Sequence, residues 1–542
     1  MSLPEQVSSK LHTLATLAGA GIIKPTRPDR LLRTAAALIR WGPTPAAGYA
    51  VSAARYSDEV ALIDELGQLT FREVHERTNA LAHALADDGV NEGDNVAIMC
   101  RNHRGFVDAV VACSKLGANA LFMNTSFSGP QLADVSEREK PKAIIYDEEF
   151  AEVLTEAGKR RKRYRAWEEP DSDSRDATLE ALIEGGDRSE VVPPGEPGKA
   201  IILTSGTTGT PKGASRSQPK SLDPAAALLS KIPLKAREKT MIAAPLFHAW
   251  GFAHFTLGMG LSSTIVIRRK FDPEATLSLT AQHGCTALAV VPVMLQRILE
   301  LPDEVLDRYD LSRVKAVPVS GSALPGALSK RWMDHFGENL FNLYGSSEVA
   351  WATIATPQDL RDAPGTAGLP PRGTIVRLYD DDGNVVEDGG TGRIFVGNDM
   401  QFEGYTGGGG KDVIDGLMSS GDVGHFDDAG RLFIDGRDDD MIVSGGENVF
   451  PGEVEDLLAE HSDIAEAAVF GVDDEKFGQR LKAVVVTRGS KKLSEKAVKD
   501  YVKSNLAAFK VPREVAFVKE LPRTSTGKVL KRELQEDDDK KD

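Results

Sequence analysis

The sequence predicts an α/β protein, α+β overall, with a large N-terminal part and a small C-terminal part. From about residue 53 to residue 200, short apolar runs alternate with stretches of helical periodicity, which is typical of βα units layered on a mostly parallel sheet. Between residues 373 and 436, short strand-like runs flank Asp-Gly-type turns, and this indicates a small antiparallel β subdomain. After Arg437 the pattern is that of a small α+β unit.

Length and composition exclude several classes of protein. The 542 residues favour three to four folding units at about 150 residues per domain, and 41% hydrophobic residues are ordinary for a globular chain. With 65 basic against 81 acidic residues the net charge is −16, so we expect no nucleic-acid partner. We find no secretory signal and no run of about 18 apolar residues, so we expect a cytoplasmic protein. Three scattered cysteines in apolar surroundings indicate inert core thiols: Cys100, Cys113 and Cys285.

Residues 1–50 are interpreted as an N-terminal extension. Within it, Arg27 to Trp41 is predicted to form a helix that carries apolar residues and four arginines. Two interpretations stay open for this helix. A basic amphipathic helix can make peripheral contact with an anionic membrane, and an amphipathic helix can equally pack on the main body of the protein.

In the following region, helical periodicity predicts helices over Phe71 to Asp88 and Phe106 to Leu116. Apolar runs predict buried strands over Asn95 to Met99 and Lys142 to Tyr146. The run Lys159 to Arg165 has six basic residues in seven and is followed at once by acidic residues. We therefore expect this run to be a solvated loop.

The C-terminal part is predicted to contain two helices and two strands, over Pro451 to His461, Leu493 to Asn505, Ala467 to Val472 and Lys482 to Val486. From Lys476 to Arg532 there are 16 basic residues against 4 acidic ones. This excess indicates either a lysine-rich solvated face or a lid that meets a polyanion. The charged residues 536–542 are expected to be a disordered tail.

The run TSGTTGTPKG, residues 204–213, follows a predicted strand and has the chemistry of a phosphate cradle. Its glycines allow the backbone to approach a ligand closely, and its hydroxyls and lysine suit a polyanion. It does not match the G-x-x-x-x-G-K-[ST] pattern of a P-loop. The predicted phosphate-binding residues are Thr204, Ser205, Gly206, Thr207, Thr208, Gly209 and Lys212.

This loop resembles the signature of the AMP-forming adenylating enzymes, which include acyl-CoA synthetases, firefly luciferase and the adenylation domains of peptide synthetases. Six further segments resemble the family's motifs in the same order, over nearly the whole chain after residue 50. They are PLFHAWGF (245–252), VSGSALP (319–325), NLYGSSE (342–348), SGDV (420–423), GRDDDMIVSGGENVFPGE (436–453) and RTSTGK (523–528). Among family members, the chain looks most like a stand-alone fatty acyl-CoA synthetase for long- or medium-chain acids.

The resemblance implies ATP-dependent activation of a carboxylic acid, with ATP, Mg²⁺ and coenzyme A as the small molecules used. A carboxylate is a poor electrophile because it is anionic and resonance-stabilised. Its attack on the α-phosphate of ATP gives an acyl-adenylate and pyrophosphate, after which a thiol displaces AMP. Because the first step brings two anions together, it needs cations and hydrogen-bond donors.

The resemblance also assigns roles to single residues. Lys528, Glu348 and Thr204 would be catalytic: Lys528 would bridge the carboxylate and the α-phosphate, and Glu348 would hold Mg²⁺ through oxygen. Asp422 would accept both ribose hydroxyls, and Arg437 would help from the phosphate or ribose side. The other nucleotide contacts would come from Gly321, Ser322, Ala323, Asn342, Tyr344, Gly345, Ser346 and Ser347, with Tyr344 stacked on adenine.

By the same resemblance, His248, Trp250 and Phe252 would line an acyl pocket, although core packing is an equal alternative for Trp250. Gly445 and Gly446 would line the CoA channel. Asp439 would be the hinge about which a small mobile C-terminal domain rotates between the two half-reactions. The implied domains are an extension (1–50), a large adenylate-forming domain (51–438), a small lid domain (439–535) and a tail (536–542).

Chain length guides the choice of acyl acceptor. The sequence ends 14 residues after Lys528, and only 73 residues separate Glu348 from Asp422. Hence we expect neither a fused carrier domain nor the insertion of fatty acyl-AMP ligases, and the apolar segments favour a fatty acid as the substrate. Three alternatives stay open: a fatty acyl-AMP ligase that serves a carrier protein, a luciferase-like oxidoreductase, and a non-catalytic nucleotide-binding protein.

Two departures from the family pattern are visible. Ser347 stands where a threonine is common before the glutamate, and it keeps a hydroxyl. The usual asparagine-rich segment after Gly404-Tyr405 is replaced by four glycines, Gly407 to Gly410. No expected ligand is lost by either change.

Overall fold

The structure is a computed structural model and describes residues 3–23, 28–204, 212–215, 221–387, 389–400, 404–406, 408–438, 442–444, 447–474, 478–489, 493–524 and 527–539. The helices are α1 (Leu3–Gly19), α2 (Pro28–Trp41), α3 (Pro45–Tyr56), α4 (Phe71–Asp87), α5 (Arg104–Leu116), α6 (Gly129–Glu139), α7 (Leu179–Gly185), α8 (Asp223–Leu229), α9 (Ala249–Gly260), α10 (Pro273–His283), α11 (Pro292–Leu299), α12 (Asp303–Leu306), α13 (Gly326–Phe336), α14 (Pro357–Asp362), α15 (Pro451–Glu460), α16 (Glu495–Asn505) and α17 (Lys531–Asp539).

The strands of the large N-terminal part are β1 (Val60–Asp64), β2 (Gly67–Thr70), β3 (Asn95–Met99), β4 (Asn119–Phe122), β5 (Ala143–Asp147), β6 (Lys162–Trp167), β7 (Ala177–Thr178), β8 (Ala200–Thr204), β9 (Lys212–Ser215), β10 (Lys239–Ile242), β11 (Thr264–Ile267), β12 (Ala287–Ala289), β13 (Val317–Val319), β14 (Leu340–Tyr344), β15 (Thr353–Ala355), β16 (Ile375–Tyr379), β17 (Gly392–Gly397), β18 (Gly404–Tyr405), β19 (Val413–Ile414), β20 (Leu417–Phe426) and β21 (Leu432–Arg437). Those of the C-terminal part are β22 (Ile442–Ser444), β23 (Glu447–Val449), β24 (Ile464–Asp474), β25 (Gly478–Thr487) and β26 (Glu514–Phe517).

Two mostly parallel sheets form the body of the N-terminal part, as the βα alternation predicts. In the first, β8-β4-β3-β5-β6-β7 are parallel, and β9 and β18 continue the sheet antiparallel beyond β8. The second has the order β12-β10-β11-β1-β2, and bridges from β12 to β13 extend it into the three-stranded sheet β13-β14-β15. Central strands such as β3, β5 and β11 are buried on both faces, because helices such as α4 and α5 cover the sheets.

Local sequence explains the well-predicted elements. Helix α4 begins where Thr70 and Glu73 form a capping box, with Thr70 N–H donating to Glu73 Oε2 over 2.6 Å. The predicted helices and strands of residues 71–146 are all present, and their ends differ by at most two residues. The three cysteines are buried, as expected, and burial raises the pKa of the Cys113 and Cys285 thiols to about 12.

The antiparallel subdomain predicted over residues 373–436 is also present. Its order is β16-β17-β20-β19, and β21 pairs with β20. In the C-terminal part, β22 to β26 form one sheet against which α15 and α16 pack. Helix α17 runs through Asp539, so the expectation of a disordered tail from residue 536 is wrong over 536–539, and residues 540–542 lie outside the described residues.

The N-terminal residues are less separate from the body than the sequence suggested. Helix α2 matches the predicted helix, but α1 and α3 were not predicted. Trp41 and Tyr49 are buried in the same core cluster as strands β1 and β3, and Leu17 of α1 is buried in another cluster. The described helices of this N-terminal extension therefore pack on the large domain.

The basic run Lys159 to Arg165 was expected to be a solvated loop. This expectation is wrong, because most of the run lies in strand β6, between β5 and β7. Its charges are matched by acidic partners: Arg163 Nε lies 3.0 Å from Asp176, and Arg165 pairs with Glu168 at 3.1 Å. Tyr164 points into the core. The charge run therefore forms a strand whose arginines are paired with acids that follow it in the chain.

None of the helices in the described part of the chain combines the length and the hydropathy that a membrane-spanning helix needs.

Candidate active site

The predicted nucleotide-binding residues gather at the carboxyl ends of strands, where ligands bind in parallel α/β sheets. Strand β8 ends at Thr204, directly before the predicted phosphate loop. Strands β13 and β14 are parallel neighbours with Val319 opposite Asn342, so Gly321 and Tyr344 follow from adjacent strand ends. Asn342 is buried, and its amide donates to Thr366 O at 3.4 Å. Gly321, Ser322 and Ala323 form the turn after β13.

Asp422 is the centre of one half of the site. Strands β20 and β21 pair so that Asp422 faces Arg437, and Arg437 Nε lies 3.9 Å from Asp422 Oδ1. The Tyr344 hydroxyl donates to Asp422 Oδ2 at 2.6 Å. Burial raises the pKa of Asp422, while Tyr344, Arg437 and Lys528 draw it back down. The structure thus brings together four residues that are up to 184 positions apart in the printed sequence.

Glu348 is the centre of the other half. The hydroxyl of Ser346 accepts the backbone N–H of Glu348 at 3.2 Å, which fixes the turn after β14 that also contains Gly345 and Ser347. The Tyr405 hydroxyl donates to Glu348 Oε1 at 2.7 Å, and Lys212 Nζ lies 5.5 Å from the centre of the Tyr405 ring. Sequence analysis assigned no role to Tyr405, although it belongs to a family motif.

Lys528 reaches this site from the C-terminal part of the chain. Gly527, with φ of +83°, packs so tightly on α11 that a Cβ atom there would lie 2.2 Å from Val293 Cγ1. A second contact joins the two parts, since Gln296 Nε2 donates to Glu466 Oε1 at 3.3 Å. The side chain of Lys528 is exposed at the entrance to the site and acts electrostatically on Asp422.

The start of α9 contributes the predicted acyl-pocket residues. Burial lowers the pKa of His248 to about 4, so this imidazole is neutral at ordinary pH. The indole of Trp250 donates to Val290 O at 2.8 Å. Phe252 lies on the opposite face of the helix and is half-buried, with its ring 4.9 Å from that of Phe122 in the core, so its place in an acyl pocket remains a prediction.

His254, which sequence analysis missed, lies one turn after Trp250 on the same face of α9, with ring centres 4.4 Å apart. It is 4% exposed, and among the residues that the structure describes its buried Nδ1 has no hydrogen-bond partner. Burial lowers the pKa of His254 to about 3. A neutral imidazole is therefore buried beside the indole, and its Nδ1 is available for a further hydrogen bond.

Several predicted residues lie outside the described part of the chain. Only the backbone of Thr204 is described, within β8. The others are Ser205, Gly206, Thr207, Thr208, Gly209, Asp439, Gly445 and Gly446.

A separate polar cluster lies at the ends of β3 and β5, where Cys100, His103 and Asp147 come within 4.8 Å of one another. His103 Nε2 bonds Asp147 at 2.7 Å, and its Nδ1 accepts the N–H of Gly105 at 3.1 Å. Because both imidazole nitrogens are occupied by protein partners, this cluster is a structural hydrogen-bond network.

Comparison with known proteins decides the family. Residues 49–406 match the AMP-binding enzyme family, and residues 453–528 match the AMP-binding enzyme C-terminal domain.

The chain belongs to the AMP-binding enzyme family.

Three relatives illustrate its range. The indoleacetate–CoA ligase of Aromatoleum aromaticum is 32% identical over 86% of this chain and 93% of its own. The long-chain-fatty-acid–CoA ligase FadD13 of Mycobacterium tuberculosis is 28% identical, with the same shares of the two chains. The o-succinylbenzoate CoA synthetase MenE of Bacillus subtilis, solved with its acyl-adenylate intermediate, superposes with a TM-score of 0.78 at 25% identity, over 90% of this chain and 97% of its own.

As a member of the AMP-binding enzyme family, the protein is an AMP-forming ligase that uses ATP, Mg²⁺ and CoA to activate a carboxylic acid. The fold agrees with the family, and so does the donor set for the metal. Glu348 offers a carboxylate oxygen, which is the ligand that Mg²⁺ prefers.

Proposed function

We propose that this AMP-binding enzyme is an acyl-CoA synthetase for a hydrophobic carboxylic acid, with a fatty acid as the first candidate. The observation that carries the proposal is the arrangement of Lys528, Asp422 and Arg437 around one site, with the apolar start of α9 as part of the same domain. We propose domain limits at residues 51–438 and 439–535.

For adenylation, we assign each residue of the site to a different part of the substrates. Lys528 lies between the substrate carboxylate and the α-phosphate, where its ammonium stabilises the charge that develops as the carboxylate oxygen bonds to phosphorus and pyrophosphate leaves. Asp422 accepts the ribose hydroxyls, and Tyr344 stacks on adenine beside Gly321. Lys212 and the hydroxyls of the phosphate loop, Thr204 included, hold the β- and γ-phosphates. Glu348 holds Mg²⁺, which supplies positive charge to the phosphates.

For the second step, the CoA thiolate attacks the acyl carbonyl and AMP leaves. We propose that the C-terminal domain first rotates about Asp439, which withdraws Lys528 and brings Gly445 and Gly446 to the pantetheine arm. The close packing of Gly527 on Val293 supports the interpretation that the structure represents the adenylating arrangement.

The acyl side supports an apolar substrate. His248 is neutral because burial lowers its pKa to about 4, so no charge opposes a hydrocarbon chain near the start of α9. An aromatic acid is a second candidate, and a specific observation favours it. Trp250 offers an indole face, and His254 offers an unpartnered nitrogen to a polar substituent on the substrate.

The test is ATP–pyrophosphate exchange with octanoate, hexadecanoate, phenylacetate and indoleacetate, repeated with His254→Leu. If fatty acids are the substrates, exchange is fastest with them and the variant keeps or improves it. If aromatic acids are the substrates, they exchange fastest, and His254→Leu loses about tenfold with indoleacetate, whose ring carries an N–H, but keeps its rate with phenylacetate, whose ring has no polar group. Exchange with none of these acids would contradict both candidates.

We also propose that α2 makes peripheral contact with an anionic membrane. Its inner face is held by Trp41, and its outer face carries an apolar stripe at helical spacing, formed by Pro28, Leu32, Ala35 and Ile39. Leu32 is 71% exposed and Ile39 86% exposed. Arg33 is exposed beside the stripe, in a chain whose net charge is −16, so a cation is placed locally where anionic lipid would be met, whereas Arg40 donates to Val191 O at 2.7 Å and lies 3.7 Å from Glu190.

Vesicle co-sedimentation tests this contact. The protein should bind vesicles that contain phosphatidylserine, release them in high salt, and lose binding in Leu32→Ser/Ile39→Ser. The matched control Val413→Ser removes a 58% exposed apolar side chain from strand β19 and should leave binding unchanged. Equal sedimentation of the wild type and the double variant would contradict the membrane contact. A dimer that forms in the wild type but not in the double variant in analytical ultracentrifugation would contradict it too, because α2 would then pair two chains.

A further inference from the structure

Tyr405 lies on the strand that closes the first sheet beside the phosphate loop. Strand β18 pairs antiparallel with β9, with Tyr405 opposite Ala214, two residues after Lys212. Thr406 N–H donates to Gly213 O at 2.8 Å, and Gly213 N–H donates back to Thr406 Oγ1 at 3.1 Å. The segment that carries Tyr405 is therefore fixed to the strand that leaves the phosphate loop.

The glycines that depart from the family pattern hold the same tyrosine from the other side. Gly408 and Gly409 have φ of +94° and +92°, a conformation that favours glycine. They form a tight turn in which Gly408 N–H donates to Tyr405 O at 3.0 Å and Tyr405 N–H donates to Gly409 O at 3.2 Å. The backbone of Tyr405 is thus held in one position on both edges.

The side chain of Tyr405 connects two groups with different proposed tasks. Its hydroxyl donates to Glu348 Oε1 at 2.7 Å, which leaves the second carboxylate oxygen for another partner. The ammonium of Lys212 lies 5.5 Å from the centre of the Tyr405 ring, which is within the range of a cation–π interaction. Burial, and next the bond to Glu348, raise the pKa of Tyr405, so the hydroxyl remains a donor at physiological pH.

We propose that Tyr405 is a positioning residue that orients Glu348 toward the metal–nucleotide complex and holds Lys212 for the phosphates. The proposal rests on the proposed function, in which Glu348 holds Mg²⁺. Loss of the hydroxyl should weaken the metal-dependent part of ATP binding, because a carboxylate that loses a charge-assisted hydrogen bond is free to turn. Loss of the ring should in addition weaken the part that needs no metal, because Lys212 loses its support.

Calorimetric titration of the enzyme with ATP, in Mg²⁺ and in EDTA, tests both parts. We expect Tyr405→Phe to weaken ATP binding about tenfold in Mg²⁺ and less than twofold in EDTA. Tyr405→Leu should bind ATP in EDTA a further two- to fivefold more weakly than Tyr405→Phe does. Tyr379→Phe is the matched control, since Tyr379 donates to Asp415 at 2.9 Å and neither residue has an assigned role in the site, and it should match the wild type.

Glu348→Gln separates the possible failures. It should remove most of the gain that Mg²⁺ gives to ATP binding. If it does and Tyr405→Phe behaves like the wild type, the positioning role is overturned and the proposed function stands. If Glu348→Gln keeps the full gain, the metal role of Glu348 fails and the positioning role falls with it. Equal losses for Tyr405→Phe in Mg²⁺ and in EDTA would overturn the proposal in favour of a purely structural tyrosine.

Discussion

At the scale of single residues, the site is defined by charges that only the fold brings together. Asp422 would be an isolated acid on its strand, yet Tyr344 donates to one of its oxygens and Arg437 lies 3.9 Å from the other. These partners keep a largely buried carboxyl available as an acceptor. A reaction between two anions needs such preorganised charges more than it needs a reactive side chain.

Lys528→Ala should nearly abolish adenylation. Loss of an ammonium that stabilises the transition state should cost about 3–4 kcal/mol, a hundredfold to thousandfold fall in pyrophosphate exchange. Thioester formation from synthetic acyl-AMP should survive, since Lys528 is withdrawn in that step. Lys519→Ala, another exposed lysine of the C-terminal domain, is the control and should behave like the wild type. Undiminished exchange in Lys528→Ala would rule out the assigned role.

His254 should make stability depend on pH. Burial lowers its pKa from 6.5 to about 3, so on acidification the unfolded chain takes up a proton that the folded protein does not. Stability should therefore fall as the pH decreases below 6.5, by about 1.4 kcal/mol per unit from this group. His254→Gln cannot titrate, so its apparent melting temperature should fall less between pH 7 and pH 5. Parallel curves for the two proteins would show that His254 is not buried as described.

At the scale of elements, helix α2 has one face that is buried against the body of the protein and one face that is exposed. Trp41 is 5% exposed and belongs to the main core cluster, whereas Ile39, two positions earlier, is 86% exposed. The packing interpretation of the basic helix thus holds for one of its faces. Packing on the body is visible directly, and membrane contact is proposed for the face that remains.

Trp41→Ala should therefore destabilise the protein by about 3–5 kcal/mol, because it leaves a large cavity in the core. Ile39→Ala, on the exposed face of the same helix, should change stability by less than about 0.5 kcal/mol. Urea unfolding of the two variants measures the difference. Similar midpoints for both would mean that α2 is not anchored as the structure has it.

A helix or strand could be predicted from the sequence where the interactions that stabilise it lie within one segment of the chain. Helix α4 was predictable because its capping box and apolar face lie within one segment. Strand β6 was not, because acids as distant as Asp176 neutralise its arginines. In the site, Tyr344, Glu348 and Asp422 belong to motifs that can be matched in the sequence, and the pairing of His254 with Trp250 is an i,i+4 spacing within α9, whereas Tyr405 gains its role from Glu348, 57 positions earlier in the chain. Partners of this kind are set by tertiary structure, which spacing along the chain does not reveal.

At the scale of the whole molecule, the C-terminal part lies against the large domain. Gly527 packs on Val293, and Glu466, which pairs with Arg523 at 3.0 Å within the C-terminal part, accepts a hydrogen bond from Gln296 of the large domain. Since Lys528 follows this packed glycine, the site is complete only while the two parts remain in contact. Entry of a thiol from that side then requires that they separate.

Asp439→Pro tests this movement. Proline fixes φ near −65°, so a hinge at this position should be held in one of its two states. We expect pyrophosphate exchange to be largely kept and thioester formation from acyl-AMP to fall strongly. The neighbouring Asp438, which pairs with Arg393 at 3.1 Å, provides the control variant Asp438→Ala. Equal retention of both half-reactions in a folded Asp439→Pro protein would place the hinge elsewhere.

The central claim is that one chain first adenylates a hydrophobic acid and then transfers the acyl group to CoA. The most direct test is ATP–pyrophosphate exchange with purified full-length protein across a panel of fatty and aromatic acids, followed by addition of CoA and mass detection of the thioester. We predict exchange that depends on the acid and on Mg²⁺, and a thioester of the same acid once CoA is present. Absence of exchange with every acid, or exchange without any thioester, would contradict the account.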